Sequence, residues 1–407
     1  MRSRIAFQLT AESRLTDYIS AIAWSPTGDF FAVSAASGEV ALFSLDSFVP
    51  VFLQTANDYT VDCLAFSSDG QFLASAGQSG QVKIWEVSSD SPQVVATLDY
   101  PATWIDHLAW NPVNHHLAFN LGKYVQVWDA ITQEIVTTLN FETSSVLDLD
   151  WRNDGLWLAV GGYQATQVWN TQDWDDDPEL IEIPSASIAV KWSPDARYLA
   201  CGNLDRTLLV TEWGNPNPWV MQGFTGKVRQ LAWSAFPNRA GAPLLAASSG
   251  NDIVVWERSK NKRIGWSSEA VSHEEQVAAM AFHPQSLRLA SVGKDGWLHF
   301  WHRGQKLLQS FNLTLAGFSD LSWHPQGHHL VVGSEAGEMF PQTLTISLSG
   351  GSESQAYNLW VGGFAAANML ETNLENGYSA TPGRTQASTQ SKVGEYPNRQ
   401  SAEAALE

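Results

Sequence analysis

Cysteine is almost absent: Cys63 and Cys201 are the two in 407 residues, which excludes a disulfide framework and a thiolate zinc site. Each lies in a strand-like stretch and reads as a small core residue. Positive charge is also scarce, with 23 Lys and Arg against 42 Asp and Glu, a formal net charge of −19. Long-range repulsion would oppose encounter with nucleic acid or anionic lipid, so a neutral or basic protein is the fitting partner. No apolar run is long enough to cross a bilayer as a helix. The opening MRSRIAFQLTAES lacks the apolar core and cleavage site of a secretory signal, and a cytoplasmic location is expected. Catalytic signatures are missing too. There is no G-x-S-x-G elbow and no H-E-x-x-H. The stretch Gly377 to Thr385 has five residues between its glycines and Arg384 where a phosphate loop needs Lys.

What is present is repetition. The stretch Val61 to Trp85, VDCLAFSSDGQFLASAGQSGQVKIW, reads as three short strands joined by two glycine turns. The aromatic ending its first strand recurs at Trp24, Phe66, Trp110, Trp151, Trp192, Trp233, Phe282 and Trp323. The intervals are 42, 44, 41, 41, 41, 49 and 41 residues, with a closing Trp at Trp85, Trp128, Trp169, Trp256 and Trp301. That period belongs to propeller blades rather than to helical repeats or solenoids.

With Ala23-Trp24-Ser25-Pro26, Lys191-Trp192-Ser193-Pro194-Asp195, Trp128-Asp129 and Asp295 to Trp301 in hand, the chain resembles the WD40-repeat family over residues 17 to 345. The resemblance implies an all-β propeller of four-stranded antiparallel blades. Eight repeats predict eight blades, seven if the last copy packs irregularly, since Phe340-Pro341 replaces its closing Trp. The alternating Arg4 to Leu9 segment is expected to close the ring from the N-terminus. In two respects the chain departs from the family. No repeat carries the Gly-His pair before its first strand, and Asp follows the closing Trp only at Asp129. Stability is therefore expected to rest on the 19 Trp and apolar packing instead of a buried hydrogen-bond relay. Residues 1–348 read as propeller and 349–407 as a disordered polar tail, with an apolar island at 357–370.

The resemblance implies a non-catalytic protein-interaction scaffold, a monomer within a hetero-complex, gripping partners through the top face and rim. The top face is the one carrying the loops that enter the first strands. Those loops hold Tyr18, Tyr59, Trp104, Phe141 and Phe224, and the strands begin with Asp62, Asp106 and Arg229, residue types suited to a protein interface. The same aromatics could instead pack between blades. In the tail, Trp360 and Phe364 form either a docking motif or a chance apolar patch. Two rival readings remain. His283, His302 and His324 could approach one another at the bottom rim and hold zinc or copper, although His283 and His324 also simply replace the Ser of Ser-Pro turns. Carboxylates at the channel mouth, Asp62, Asp106, Asp148 and Asp320, could serve a hydrolase. The Asp173 to Glu179 loop reads as a solvated acidic surface more readily than as a calcium site. No cofactor is expected.

Overall fold

A computed structural model describes residues 15–45, 49–87, 91–260 and 265–337 with their side chains. It describes, as backbone alone, Ser3–Leu9, Ser13–Arg14, Glu338–Met339, Gln342–Ser347 and four further strands near the C-terminus. Repeats one to seven each become a four-stranded antiparallel sheet. In repeat two, Val61–Phe66, Phe72–Gly77, Gln81–Glu86 and Gln93–Asp99 pair in chain order. The first turn closes because Ser67 Oγ accepts the Phe72 N–H at 2.9 Å and donates to Asp69 at 2.6 Å. Gly70 supplies the left-handed residue, φ 75°, which a side chain would oppose. Ser193 repeats the device with Tyr198 and Asp195, at 2.8 and 2.6 Å.

The first strands of the eight repeats follow one another around a closed ring, from Ile19–Trp24 through to Phe318–Trp323, which packs back against Ile19–Trp24. This is consistent with eight blades. Blades four and five share one 14-residue strand, Glu179–Trp192, whose first half ends one sheet and whose second half begins the next. The last repeat is short: Phe318–Trp323 pairs with His329–Ser334, and Glu338–Met339 pairs with Ser13–Arg14. Ser3–Leu9 runs antiparallel to Gln342–Ser347, the N-terminal closure that the alternation around Arg4 to Leu9 predicts.

Apolar clusters fill the wedges between blades. Ala74, Ile84, Ile105, Trp110, Leu117, Phe119 and Trp128 bind blade two to blade three. Leu15, Ile19, Trp24, Phe31 and Val331 seal blade eight against blade one. Burying one such large side chain contributes roughly 1.5–3 kcal/mol. Cys201 sits in the wedge between blades four and five, where burial pushes its thiol up to about 11, and it is as inert as its sequence setting implied.

A second device repeats around the ring. Five of the tryptophans that end a first strand donate the indole N–H to the preceding blade, at the carbonyl one residue before the equivalent aromatic, while Trp192 Nε1 finds no acceptor. Trp110 reaches Ala65, Trp151 reaches Ala109, Trp233 reaches Lys191 and Trp323 reaches Ala281, at 2.9–3.1 Å. Trp24 reaches Ser322 at 3.1 Å and closes the circle. Each bond is worth about 1 kcal/mol, and each fixes how one blade sits on the next.

One sequence expectation is corrected here. Blade seven does contain a buried relay: Trp301 Nε1 donates to Ser291 Oγ at 2.8 Å, Ser291 meets His273 Nε2 at 2.8 Å, and His273 Nδ1 meets Asp295 at 3.1 Å. His273 follows Ser272 rather than Gly, so a search for the Gly-His pair passes over it. The geometry needs the imidazole and not the glycine.

A candidate partner-binding face

The loops entering blades two and three, residues 55–60 and 100–107, run between paired strands at the channel mouth. They display Tyr59 and Trp104 at 54% and 55% exposure. Trp104 Nε1 donates to Asp62 Oδ2 at 2.7 Å, so a residue of blade three's loop is pinned to blade two's first strand. Burial pushes the Asp62 carboxyl up to about 6, and the neighbouring Asp106 charge adds to the rise, while the Trp104 bond works the other way. Asp106 is exposed and is held by Asn120, whose Nδ2 donates to it at 2.7 Å. Tyr18 stands half-buried on blade one's loop, its hydroxyl pKa raised by burial and then by the Glu335 charge. Arg229 is exposed on the far side of the mouth.

Blades four to eight line an open pocket of about 260 Å³ whose walls include Asp148, Lys191, Arg229, Gln230 and Asp320. Its acids act as braces. Asp320 accepts the N–H of Ile22 in blade one and of Leu321, both at 2.8 Å, and burial pushes it up to about 7. Asp148 accepts from Val190 of blade five and from Leu149, both at 2.8 Å, and faces His107 Nδ1 at 3.3 Å. Burial disfavours a charged His107, yet the Asp148 bond and the Asp148 and Asp106 charges raise its pKa on balance. Two of the four carboxylates considered for acid–base work therefore hold neighbouring blades together. His107 and Asn120, which organise Asp106, carried no motif that sequence reading could seize.

Two proposed interface residues are corrected. Phe141 and Phe224 are 2% and 7% exposed and belong to wedge cores. Phe141 turns inward because Gly162 leaves it room: a Cβ there would lie 2.3 Å from its ring. The structure thus brings Tyr59, Asp62, Trp104 and Asp106 together, leaves Tyr18 and Arg229 on the same mouth, and removes the two phenylalanines.

The bottom-rim histidines are corrected as well. His283 Nδ1 accepts the Gln285 N–H at 3.1 Å and its Nε2 donates to the Gly327 carbonyl of blade eight at 3.2 Å. Burial and then Arg288 hold it down to about 4. His324 Nδ1 accepts from Gln326 at 3.1 Å, and its ring stands edge-on to Trp24 with centroids 4.8 Å apart. These rings serve turns and seams, and His283, His302 and His324 form no ligand group. Among the described residues, the group with ligand atoms close together is His273, Asp295 and His299. Three of its four imidazole nitrogens are engaged: the relay takes both of His273, and His299 Nδ1 meets Ser310 Oγ at 2.9 Å. The acidic loop Asp173, Asp175, Asp176, Asp177 is exposed, as a solvated surface should be. Side chains of Trp360 and Phe364 lie outside the described residues.

With this geometry fixed, the comparisons with known proteins fall into place. A family model of the anaphase-promoting complex subunit 4 WD40 domain matches residues 22–113, and one of the WD domain, G-beta repeat, matches residues 183–211 and 267–302. Among solved structures, a chain of a crystal structure of the mitotic checkpoint complex has TM-score 0.58 at 24% identity, covering 73% of this chain and 92% of that one. Sqt1 of Chaetomium thermophilum, solved bound to the N-terminus of the ribosomal protein L10, has TM-score 0.70 at 17% identity, covering 84% and 97%. No curated protein matches the chain. Repeat-level matches and fold together make this a WD40-repeat β-propeller protein.

Proposed function

We propose that the protein is a non-catalytic scaffold that binds partner proteins through the top face and rim of its propeller. The observation carrying this is the mouth between blades two and three, where a tryptophan is held in solvent by a carboxylate of the adjoining blade. A pinned exposed aromatic offers large contact area at little entropic cost. The two solved relatives come from protein complexes, which supports protein partners in general. A monomer in a cytoplasmic hetero-complex, without nucleic acid or membrane, completes the reading and rests on charge and composition. The test is affinity purification from the native cells with wild type and the double variant Trp104→Ala, Arg229→Ala. Loss of a stoichiometric protein with the fold intact by circular dichroism is the expected result; retention of every partner would refute binding at this mouth.

A further inference from the structure

The scaffold reading leaves the partner's chemistry open, and the mouth narrows it. Of the tryptophans among the described residues, Trp104 is the one that stands exposed. It is not a loose loop residue, because the Asp62 bond fixes its indole with one edge committed and its face available. The carboxylates beneath and beside that face have no Lys or Arg partner, and the cationic group nearest Asp106 is His107, whose Nε2 lies 3.8 Å from Asp106 Oδ1. Among the described residues, the Lys and Arg ion pairs are Arg152–Asp154, Lys191–Asp150, Arg197–Glu212, Lys294–Glu335 and Arg303–Glu257. None involves Asp62 or Asp106. Exposed Asp17 and Asp58, on the loops of blades one and two, add charge of the same sign. Two like charges that feel each other with no Lys or Arg between them cost stability, and a fold tolerates that where an outside cation completes the arrangement.

Resting on the scaffold reading, we infer that this mouth receives an extended, basic segment of a partner protein. One lysine or arginine lays its stem along the Trp104 face and sets its charged head between the Asp62 and Asp106 carboxylates. Indole is the best aromatic platform for a cation, and Arg stacks on it most readily. Tyr59, exposed on the loop that leads into the strand of Asp62, offers a second aromatic on the same mouth. Exposed Arg206, Lys227 and Arg229 lie on the loops of blades five and six, so the opposite sector repels such a segment and leaves it over blades one to three.

Fluorescence anisotropy of the full-length protein with a fluorescein-labelled peptide of four Arg-Gly repeats, at physiological salt, tests this. A Glu-Gly peptide serves as the control probe. Wild type should bind the basic probe and not the acidic one. The double variant Asp62→Asn, Asp106→Asn should weaken binding about tenfold or more, and Trp104→Ala, read at pH 8 where Asp62 stays ionised, about fivefold. The double variant Asp175→Asn, Asp176→Asn, which removes the same charge on the opposite face, should bind as wild type does. Equal weakening by the two double variants would reduce the effect to overall charge and overturn the inference. So would full binding by Trp104→Ala, or no binding by wild type. The outcomes separate from those of the broader reading. A native partner lost with Arg229→Ala but kept by the Asp62, Asp106 double variant leaves the scaffold standing and sinks the basic-segment inference.

Discussion

Blades two and seven carry the same closing tryptophan and use it differently. In blade seven Trp301 begins a chain of hydrogen bonds that ends on Asp295, which also accepts the N–H of Trp297 and Glu274 at 3.0 and 2.9 Å. The loop entering that blade is thereby consumed by the relay. In blade two Trp85 is as deeply buried, yet its indole nitrogen finds no acceptor. No histidine stands in the loop before Val61, and that loop turns Tyr59 outward instead. The relay stabilises a blade by tying down its top loop, so a blade without it is less well satisfied inside and freer to present side chains. Blade two lacks the relay and displays Tyr59, but a missing acceptor does not by itself expose a loop: the Trp169 and Trp256 nitrogens of blades four and six are also unpartnered, and the loops entering those blades bury Phe141 and Phe224.

The comparison can be broken at its strongest point first. His273→Ala leaves buried Asp295 and Ser291 without their shared partner and should cost about 3 kcal/mol in urea unfolding. A loss under about 1 kcal/mol would mean the relay is ornamental. Smaller is the contrast between Trp301→Phe and Trp85→Phe. Both shorten a ring in a wedge core, but only the first removes an N–H that has an acceptor. Trp301→Phe should therefore be the more destabilising by about 1 kcal/mol, and equal losses would show that Trp85 has an unseen partner such as a buried water.

Much of this was legible because the repeat is local. The aromatic spacing located all eight units, and the Ser-x-Asp-Gly turn of repeat two placed the turns, since its hydrogen bonds span at most five residues. Tyr59, Asp62, Trp104 and Asp106 were found by their position in the unit. What escaped depended on contacts beyond the local turn. Phe141 looked like Trp104 in sequence, and its inward turn is decided by Gly162, in the turn beyond its own blade's second strand. His283 and His324 looked like ligands, and their roles are set by Gly327 and Trp24 across two seams. The blade-seven relay was missed for a narrower reason, since the expected pair was Gly-His and the chain has Ser272-His273.

The smallest expected effect sharpens the contrast at two aspartates. Burial would raise Asp295, but the His273 bond and the backbone N–H groups of Trp297 and Glu274 hold it down to about 2. Asp62, with the Trp104 indole as its side-chain partner and Asp106 nearby, is pushed up to about 6. Both start near 3.8 in the unfolded chain, so their linkages have opposite sign. Asp295 contributes stability above pH 3.8 that disappears as pH falls toward 2. Asp62 contributes stability below pH 3.8 that disappears as pH rises through 6. Carbon-detected NMR titration should give the two midpoints, and Trp104→Phe, which keeps a ring but removes the N–H, should move Asp62 further up while leaving Asp295 in place. An Asp62 midpoint below 4 would mean that its carboxylate already has a cation within the chain, and the vacancy that distinguishes blade two from blade seven would not exist.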